Sequence, residues 1–208
     1  DSTMRPMPVW YHETCTEGIS RSARFPRDRY RMLRERLNDL HGTGLICIES
    51  PEPVVRDTLL IAHEQDYVDR FLSGSLDAKE VRRIGLEPWT DAFLPRTMMI
   101  IGGAVEALAH VTRFGGIAAN MAGGTHHSHR SFGSGYCVFN DLAICALLAR
   151  DEYGYERIAV IDLDVHQGDG TATILEGEEG IITISVHGEK NFPFRKAKSD
   201  YDFPLPNG

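Results

Sequence analysis

A parallel β-sheet flanked by helices is the fold class this sequence predicts, and two observations carry the prediction. The segments R-I-A-V-I-D-L-D (157–164) and I-I-T-I-S-V (181–186) are short, apolar and rich in β-branched residues, which marks strands. Helical patterns alternate with such strands along the chain, and strands alternating with helices imply a parallel α/β sheet.

Taken in order, Val9 to His12 is a β-like opening followed by a polar loop through Ser22. Phe25-Pro26 introduces a helix over Arg27 to Leu40, with Tyr30, Leu33, Leu37 and Leu40 at helical spacing. Leu45 to Glu49 reads as a short strand closed by Pro51 and Pro53, Leu59 to Ala62 as another, and Glu64 to Leu72 as an amphipathic helix. Ser73 to Pro95 reads as irregular, and a loop of that length in a compact domain is commonly functional. Arg96 to Phe114 is the longest helical pattern. Its Gly102-Gly103 pair marks close packing, because glycine otherwise weakens a helix. Gly116 to Met121 reads as a strand and alanine-rich Asp141 to Arg150 as a buried helix; the tail after Gly188 shows no regular pattern.

The 208 residues suit one domain or one and a half, and 42% hydrophobic residues suffice for a core. A net charge of −8 argues against nucleic-acid binding through a basic surface. The arginine-rich stretch from Arg21 to Arg36 is interrupted by Asp28 and Glu35 and reads as a solvated helix face. Four cysteines, none in a Cys-x-x-Cys pair and with no secretory signal before them, indicate neither a disulfide framework nor a thiolate zinc site. A reducing cytoplasm is the expected setting, without membrane attachment. Asp1 to Met4 is given no structural role.

Chemistry concentrates in two segments. Ile158, Val160, Asp162, Asp164 and His166 share one parity, so an extended chain projects them to one side. An apolar run ending in two carboxylates and an imidazole is hard to explain as packing, since unpaired buried charge is costly. Open α/β sheets bind ligands beyond the carboxyl ends of their strands, and aspartate with histidine suits zinc and similar divalent ions. The competing explanation is that Asp162 or Asp164 caps the helix that opens near Gly168-Asp169-Gly170-Thr171. The second segment is Gly123-Gly124-Thr125-His126-His127-Ser128-His129. Its glycines let backbone approach a bound group, and carboxylates at 162 and 169 are suited to orient imidazoles by accepting from Nδ1–H. His129 reads as a surface residue. Together the segments describe a metal-activated hydrolysis site.

GGTHHSHRSFGSGYCVFNDLAICA (123–146) and VIDLDVHQGDGTA (160–172) resemble the two main signatures of the zinc-dependent histone deacetylase family, within the arginase/deacetylase group of α/β proteins. Arg24-Phe25-Pro26 and Leu60-Ile61-Ala62-His63 extend the likeness upstream, and Gln167 is similar to bacterial and class IV members. The resemblance implies Asp164 and His166 as zinc ligands, His127 as general base and later acid, and His126 as its electrostatic partner. It implies that Asp162 orients His126 and Asp169 orients His127. It further implies Gly135, Tyr136 and Phe192 as walls of an acyl-lysine tunnel. A monovalent cation, usually potassium, is expected near Asp162, Asp164, His166, Ser185 and Val186, largely on backbone carbonyls. The family's third zinc ligand and its Gly-Gly-Tyr tyrosine have no match here, and Asp200 and Asp202 are not promoted in their place. By this comparison residues 1–208 form one incomplete domain.

Three functions follow as expectations. The first is a hydrolase of acylated amines, acting on N-acyl-lysine in proteins or on an acetylated polyamine. The second is an arginase-like ureohydrolase with two manganese ions. Its usual Asp-x-His-x-Asp is one residue tighter than Asp164-x-His166-x-x-Asp169, and the double histidine favours the deacetylase. The third is a truncated, non-catalytic domain.

Overall fold

A computed structural model describes residues 5–206; Asp1–Met4 and the closing Asn207-Gly208 lie outside it. Along the chain run β1 (Met7–Trp10), α1 (Thr14–Glu17), α2 (Asp28–His41), β2 (Ile46–Glu49), α3 (Arg56–Leu59), α4 (Gln65–Leu72) and α5 (Ala78–Ile84). Then follow α6 (Phe93–Phe114), β3 (Ala119–Asn120), α7 (Asp141–Asp151), β4 (Ile158–Asp162), α8 (Asp169–Ile174), β5 (Ile181–Gly188) and β6 (Tyr201–Leu205). The chain divides into two units, one of Asp1–Val55 with Leu86–Gly123 and one of Arg56–Gly85 with Gly124–Gly208. Each holds a three-stranded parallel sheet with helices packed on it, as the alternation of elements predicts.

In the first unit the strand order is β2-β1-β3, and α6 packs on β1 and β3. Gly103 is required at that contact, and Gly102 where α6 meets the segment that follows β2. A Cβ on Gly102 would run into the backbone carbonyl of Glu52, and one on Gly103 would lie 2.5 Å from Asn120 Oδ1. α6 starts three residues earlier than the sequence pattern suggests, with Pro95 in its first turn, where the missing N–H has no helical partner to lose. β3 is only two residues long, shorter than the strand expected over Gly116 to Met121. The polar loop before Ser22 contains the single turn α1. Tyr30 is the buried residue of α2, stacked on Phe25, whereas Leu33 and Leu40 of its expected apolar face are exposed.

In the second unit the order is β4-β5-β6. Three expectations fail here, each for a local reason. Leu59 to Ala62 is not a strand: Ala62 and His63 donate to the Leu59 carbonyl and Ile61 to that of Thr58, so the backbone is satisfied within a turn that continues α3. A short apolar run does not by periodicity alone distinguish strand from helix. Ser73 to Pro95 is not irregular throughout, because Asp77 and Glu80 form a reciprocal capping box that starts α5 and left-handed Gly85 ends it. The tail contains β6, a strand whose Pro204 disguised it in the sequence.

Burial in β5 alternates strictly. Ile181, Thr183, Ser185 and His187 are buried on one side, and α7 packs on the same sheet against β4. The register places Ile161, Ile184 and Tyr201 together on the other side, with Ile182, Phe203 and Leu205, and Ile161, Ile182, Tyr201, Phe203 and Leu205 are exposed. All four cysteines are free thiols. Among the described residues no helix is long and apolar enough to cross a membrane.

Candidate active site

β4 ends at Asp162, so Asp164 and His166 do not project from the strand as the shared parity suggests. The chain instead turns on its own aspartates. Asp164 N–H donates to Asp162 Oδ1 at 3.0 Å, and His166 N–H donates to Asp164 Oδ1 at 2.8 Å. Two successive Asx turns thus set the two-residue spacing of the motif. Neither aspartate caps α8, whose N-cap is Gly168 without a side-chain cap.

The histidine loop is fixed from below by Asp141, the first residue of α7. Its carboxylate accepts from Gly124 N–H, Thr125 N–H and Thr125 Oγ1, each at 2.8 Å. His63 fixes the same loop from the side: its Nδ1 lies 2.9 Å from the His129 carbonyl, and its Nε2 accepts from Asn140 N–H at 2.9 Å. Those partners define a neutral Nδ1–H tautomer, and burial lowers the His63 pKa to about 4. Asn140 caps α7 through Ala143 N–H and donates to the Ser128 carbonyl. Gly170 lets α8 approach so closely that a Cβ there would strike the Ser128 carbonyl. The sequence left His63, Asn140 and Asp141 without roles, although all three sit inside the resembling segments.

These supports place two buried imidazoles on two carboxylates. His126 Nδ1 lies 2.5 Å from Asp162 Oδ2, and His127 Nδ1 lies 2.6 Å from Asp169 Oδ1. The rings are 4.0 Å apart between centroids. Burial disfavours the charged form of both, and the balance then differs. At His126 the bond to Asp162 and the charges of Asp162, Asp164 and Asp169 outweigh burial, so its pKa is raised. At His127 burial prevails over the Asp169 bond, helped by the neighbouring imidazoles of His126 and His166, so its pKa is lowered. Burial raises the two carboxylates, but the imidazole bonds and the imidazole charges together outweigh it, so Asp162 is lowered and Asp169 is lowered to about 2.

His129 departs from its surface reading. Its side chain is 17% exposed, and its Nε2 lies 3.2 Å from Asp169 Oδ2. Gln167, buried, donates to the Ala197 carbonyl and Asp202 and accepts from Ala197 N–H, a clamp on the tail that sequence reading did not foresee. Asp200 accepts from Thr183 N–H and Oγ1, so both tail aspartates are engaged in local bonds.

Three further residues surround the imidazoles. Phe192 meets His127 edge-to-face at 4.9 Å and His166 at 6.2 Å. Gly135 has φ +53°, and a Cβ on it would lie 2.6 Å from His127 Cδ2. Tyr136 follows with φ 69°, held by its N–H on the Ile84 carbonyl, and is exposed. Ser185 is in register with Asp162 across the β4–β5 ladder and bonds His187 Nδ1 at 3.0 Å; Val186 pairs with Phe203.

A histone deacetylase domain matches residues 23–203. The chain belongs to the histone deacetylase family. It is similar to an uncharacterised protein of Picosynechococcus, 41% identical over 204 residues that cover 97% of this chain and 66% of that protein. It is also similar to the acetoin utilization protein AcuC of Staphylococcus aureus (31% identical, 70% of this chain, 41% of the relative). The AcuC protein of Bacillus subtilis is 28% identical over 71% of this chain and 40% of its own length. Both paired histidines and all three aspartates of the deacetylase motifs fall in the second unit, whose parallel sheet with α7 packed against β4 suits the arginase/deacetylase fold.

The family is generally zinc-dependent, and the residues of this chain can be tested for metal fit. Asp164 Oδ1 and His166 Nδ1 are 3.1 Å apart, and both side chains are about half exposed (51% and 41%). Two ligand atoms on one tetrahedral zinc, each about 2.0–2.1 Å from it, lie roughly 3.3 Å from each other. The pair therefore fits two positions of such a site. Among the described residues no set of three His, Cys, Asp or Glu gathers to hold an ion.

Proposed function

We propose that this chain serves a zinc-dependent amidohydrolase that removes acyl groups from amines, with N-acyl-lysine of proteins as the substrate class. The observation that supports this most directly is the pair of adjacent imidazoles, each on its own carboxylate, whose pKa values are driven in opposite directions. Titratable neighbours pushed apart in this way divide acid and base work between them.

The roles follow from hydrogen positions. An ionised Asp169 only accepts, so His127 carries its hydrogen on Nδ1 and leaves Nε2 with a lone pair. His127 Nε2 takes a proton from the water that attacks the acyl carbon. As the C–N bond of the tetrahedral adduct breaks, the same nitrogen returns that proton to the departing amine, and the carboxylic acid formed passes its own proton to the amine to give a carboxylate and an ammonium. His126, favoured in its cationic form by Asp162, offsets negative charge on the adduct. Asp164 and His166 would hold the zinc, which when bound polarises the acyl carbonyl and acidifies water. Gly135, Tyr136 and Phe192 would flank the acyl-lysine stem, and carbonyls near Asp162, Asp164, His166, Ser185 and Val186 would hold a monovalent cation. An acetylated polyamine is the second substrate class, because the same groups act on any acylated primary amine.

The test is turnover of an acetyl-lysine peptide and of an N-acetylated polyamine with zinc supplied, alongside His127→Ala. Loss of turnover in the variant with zinc content unchanged is the expected result. Near wild-type kcat in His127→Ala would refute the base assignment, and faster turnover of the polyamine would move the substrate class.

A further inference from the structure

The Asp169 carboxylate has two oxygens, and an imidazole stands at each. Oδ1 faces His127 Nδ1 at 2.6 Å and Oδ2 faces His129 Nε2 at 3.2 Å. His129 is itself held at several points. Its Nδ1 lies 2.7 Å from Thr173 Oγ1, its ring stacks on Phe132 at 4.4 Å, its N–H donates to the Phe132 carbonyl and its carbonyl meets His63. Such fixation from both backbone and ring is not what a solvated loop histidine has.

We infer that His129 is a positioning residue for the base: it holds Asp169 from the side away from His127, and Thr173 holds His129 in turn. The inference rests on the reading of His127 as general base. Its logic is one of hydrogens. Ionised Asp169 has nothing to donate, so the nitrogens that face it, His127 Nδ1 and His129 Nε2, both carry hydrogen. The other nitrogen, Nδ1, lies 2.7 Å from Thr173 Oγ1, which itself reaches the Gly170 carbonyl at 3.1 Å. The result is a continuous chain of bonds through Thr173, His129 and Asp169 that ends at the carboxylate on which His127 is oriented. With only one oxygen engaged, a carboxylate buried to this degree (side chain 11% exposed) would be free to turn about its Cβ–Cγ bond. Anchoring Oδ2 stops that turn and keeps Oδ1 aimed at His127. Partners one step removed from a reacting imidazole fix its tautomer as well as its direction.

Two variants separate this role from a purely structural one. His129→Gln keeps an N–H within reach of Asp169 Oδ2, and His129→Leu has similar bulk and no hydrogen bond. The ring tautomer of His127 is read by long-range 1H–15N NMR on the 208-residue chain, and kcat and KM are read on an acetyl-lysine peptide with zinc supplied. In wild type and His129→Gln the Nδ1–H tautomer of His127 is expected as one sharp species. In His129→Leu its two nitrogen signals move towards an averaged value, and kcat drops about 10-fold with KM unchanged. His129→Leu with wild-type nitrogen signals and wild-type kcat would overturn the inference. Should His129→Leu fail to fold, Thr173→Val removes only the outermost hydroxyl; a smaller shift in the same direction supports the chain of bonds, and no shift overturns it. A tautomer shift in a series where even wild type lacks turnover would uphold the positioning role and sink the deacetylase reading instead.

Discussion

The glycine at 135 shows how closely this site is built at the scale of single atoms. Two constraints act on it together: a left-handed backbone, φ +53°, and a His127 ring that leaves no space for a methyl group. Alanine there would be strained by about 1–2 kcal/mol in its backbone and would also displace the imidazole. A shift of about 1 Å in a reacting group costs on the order of 100-fold in rate. Gly135→Ala is therefore expected to lower kcat by about that factor while zinc content is unchanged; steady-state kinetics beside metal analysis would check both. The same scale explains why His129 escaped sequence reading. Two adjacent histidines with matching carboxylates at 162 and 169 announce a pair, but nothing in the letters shows that Asp169 turns its second oxygen to a third imidazole. That depends on the single turn of α8, which carries Asp169 and Thr173 towards one ring.

At the scale of elements, the loop between Gly123 and α7 has no regular structure of its own and borrows its shape from neighbours. His63, just beyond α3, contributes two of those bonds, and both require it neutral: Nδ1–H donates to a carbonyl and Nε2 accepts an amide hydrogen. A pH dependence follows. The folded-state pKa is about 4, below the ordinary 6.5, so above pH 6.5 neither state is protonated and His63 imposes no penalty. As pH falls from 6.5 to 4 the unfolded chain binds a proton that the folded chain refuses, and stability declines by roughly 3 kcal/mol across that window. Denaturant unfolding of wild type and His63→Gln at several pH values would show it: the wild-type slope in that window is expected to exceed the variant's by close to one proton. Equal slopes would mean that His63 is protonated in the fold. Elements also show where sequence reading succeeds. β4 and β5 were legible from their β-branched apolar runs, α7 from its alanine-rich apolar composition and α2 from its helical spacing, although Leu33 and Leu40 of that spacing are exposed. α5 carries the signal of Asp77-x-x-Glu80 and Gly85, but it is only seven residues long and lies among scattered Gly and Pro, which masks its helical pattern. β6 was hidden by its proline, and the 59–62 run by its brevity.

For the molecule as a whole, the paired histidines, the orienting aspartates and the two expected metal donors come from segments far apart in sequence and converge in one unit. That convergence was legible in the resemblance of 123–146 and 160–172 and in the matching of two imidazoles to two carboxylates, whereas the parity argument fails because Asp162 and Asp164 each accept the amide two residues on and turn the chain. The supports were not legible, because a buried tether such as Asp141 or His63 has the same residue type as a surface group.

The sheet of β4, β5 and β6 carries one consequence of a different kind. Parallel strands are ordinarily roofed on both sides, and here Ile161, Ile182, Tyr201, Phe203 and Leu205 stand bare on one of them. A contiguous apolar surface of that sort wets poorly and adheres to others like it. In solution the 208-residue chain should therefore behave as a colloid near its threshold. Enhanced fluorescence of an apolar dye at neutral pH, light scattering that grows with protein concentration, and relief of both by Phe203→Glu would be its signature; a dark dye and concentration-independent scattering would mean that the surface is shielded.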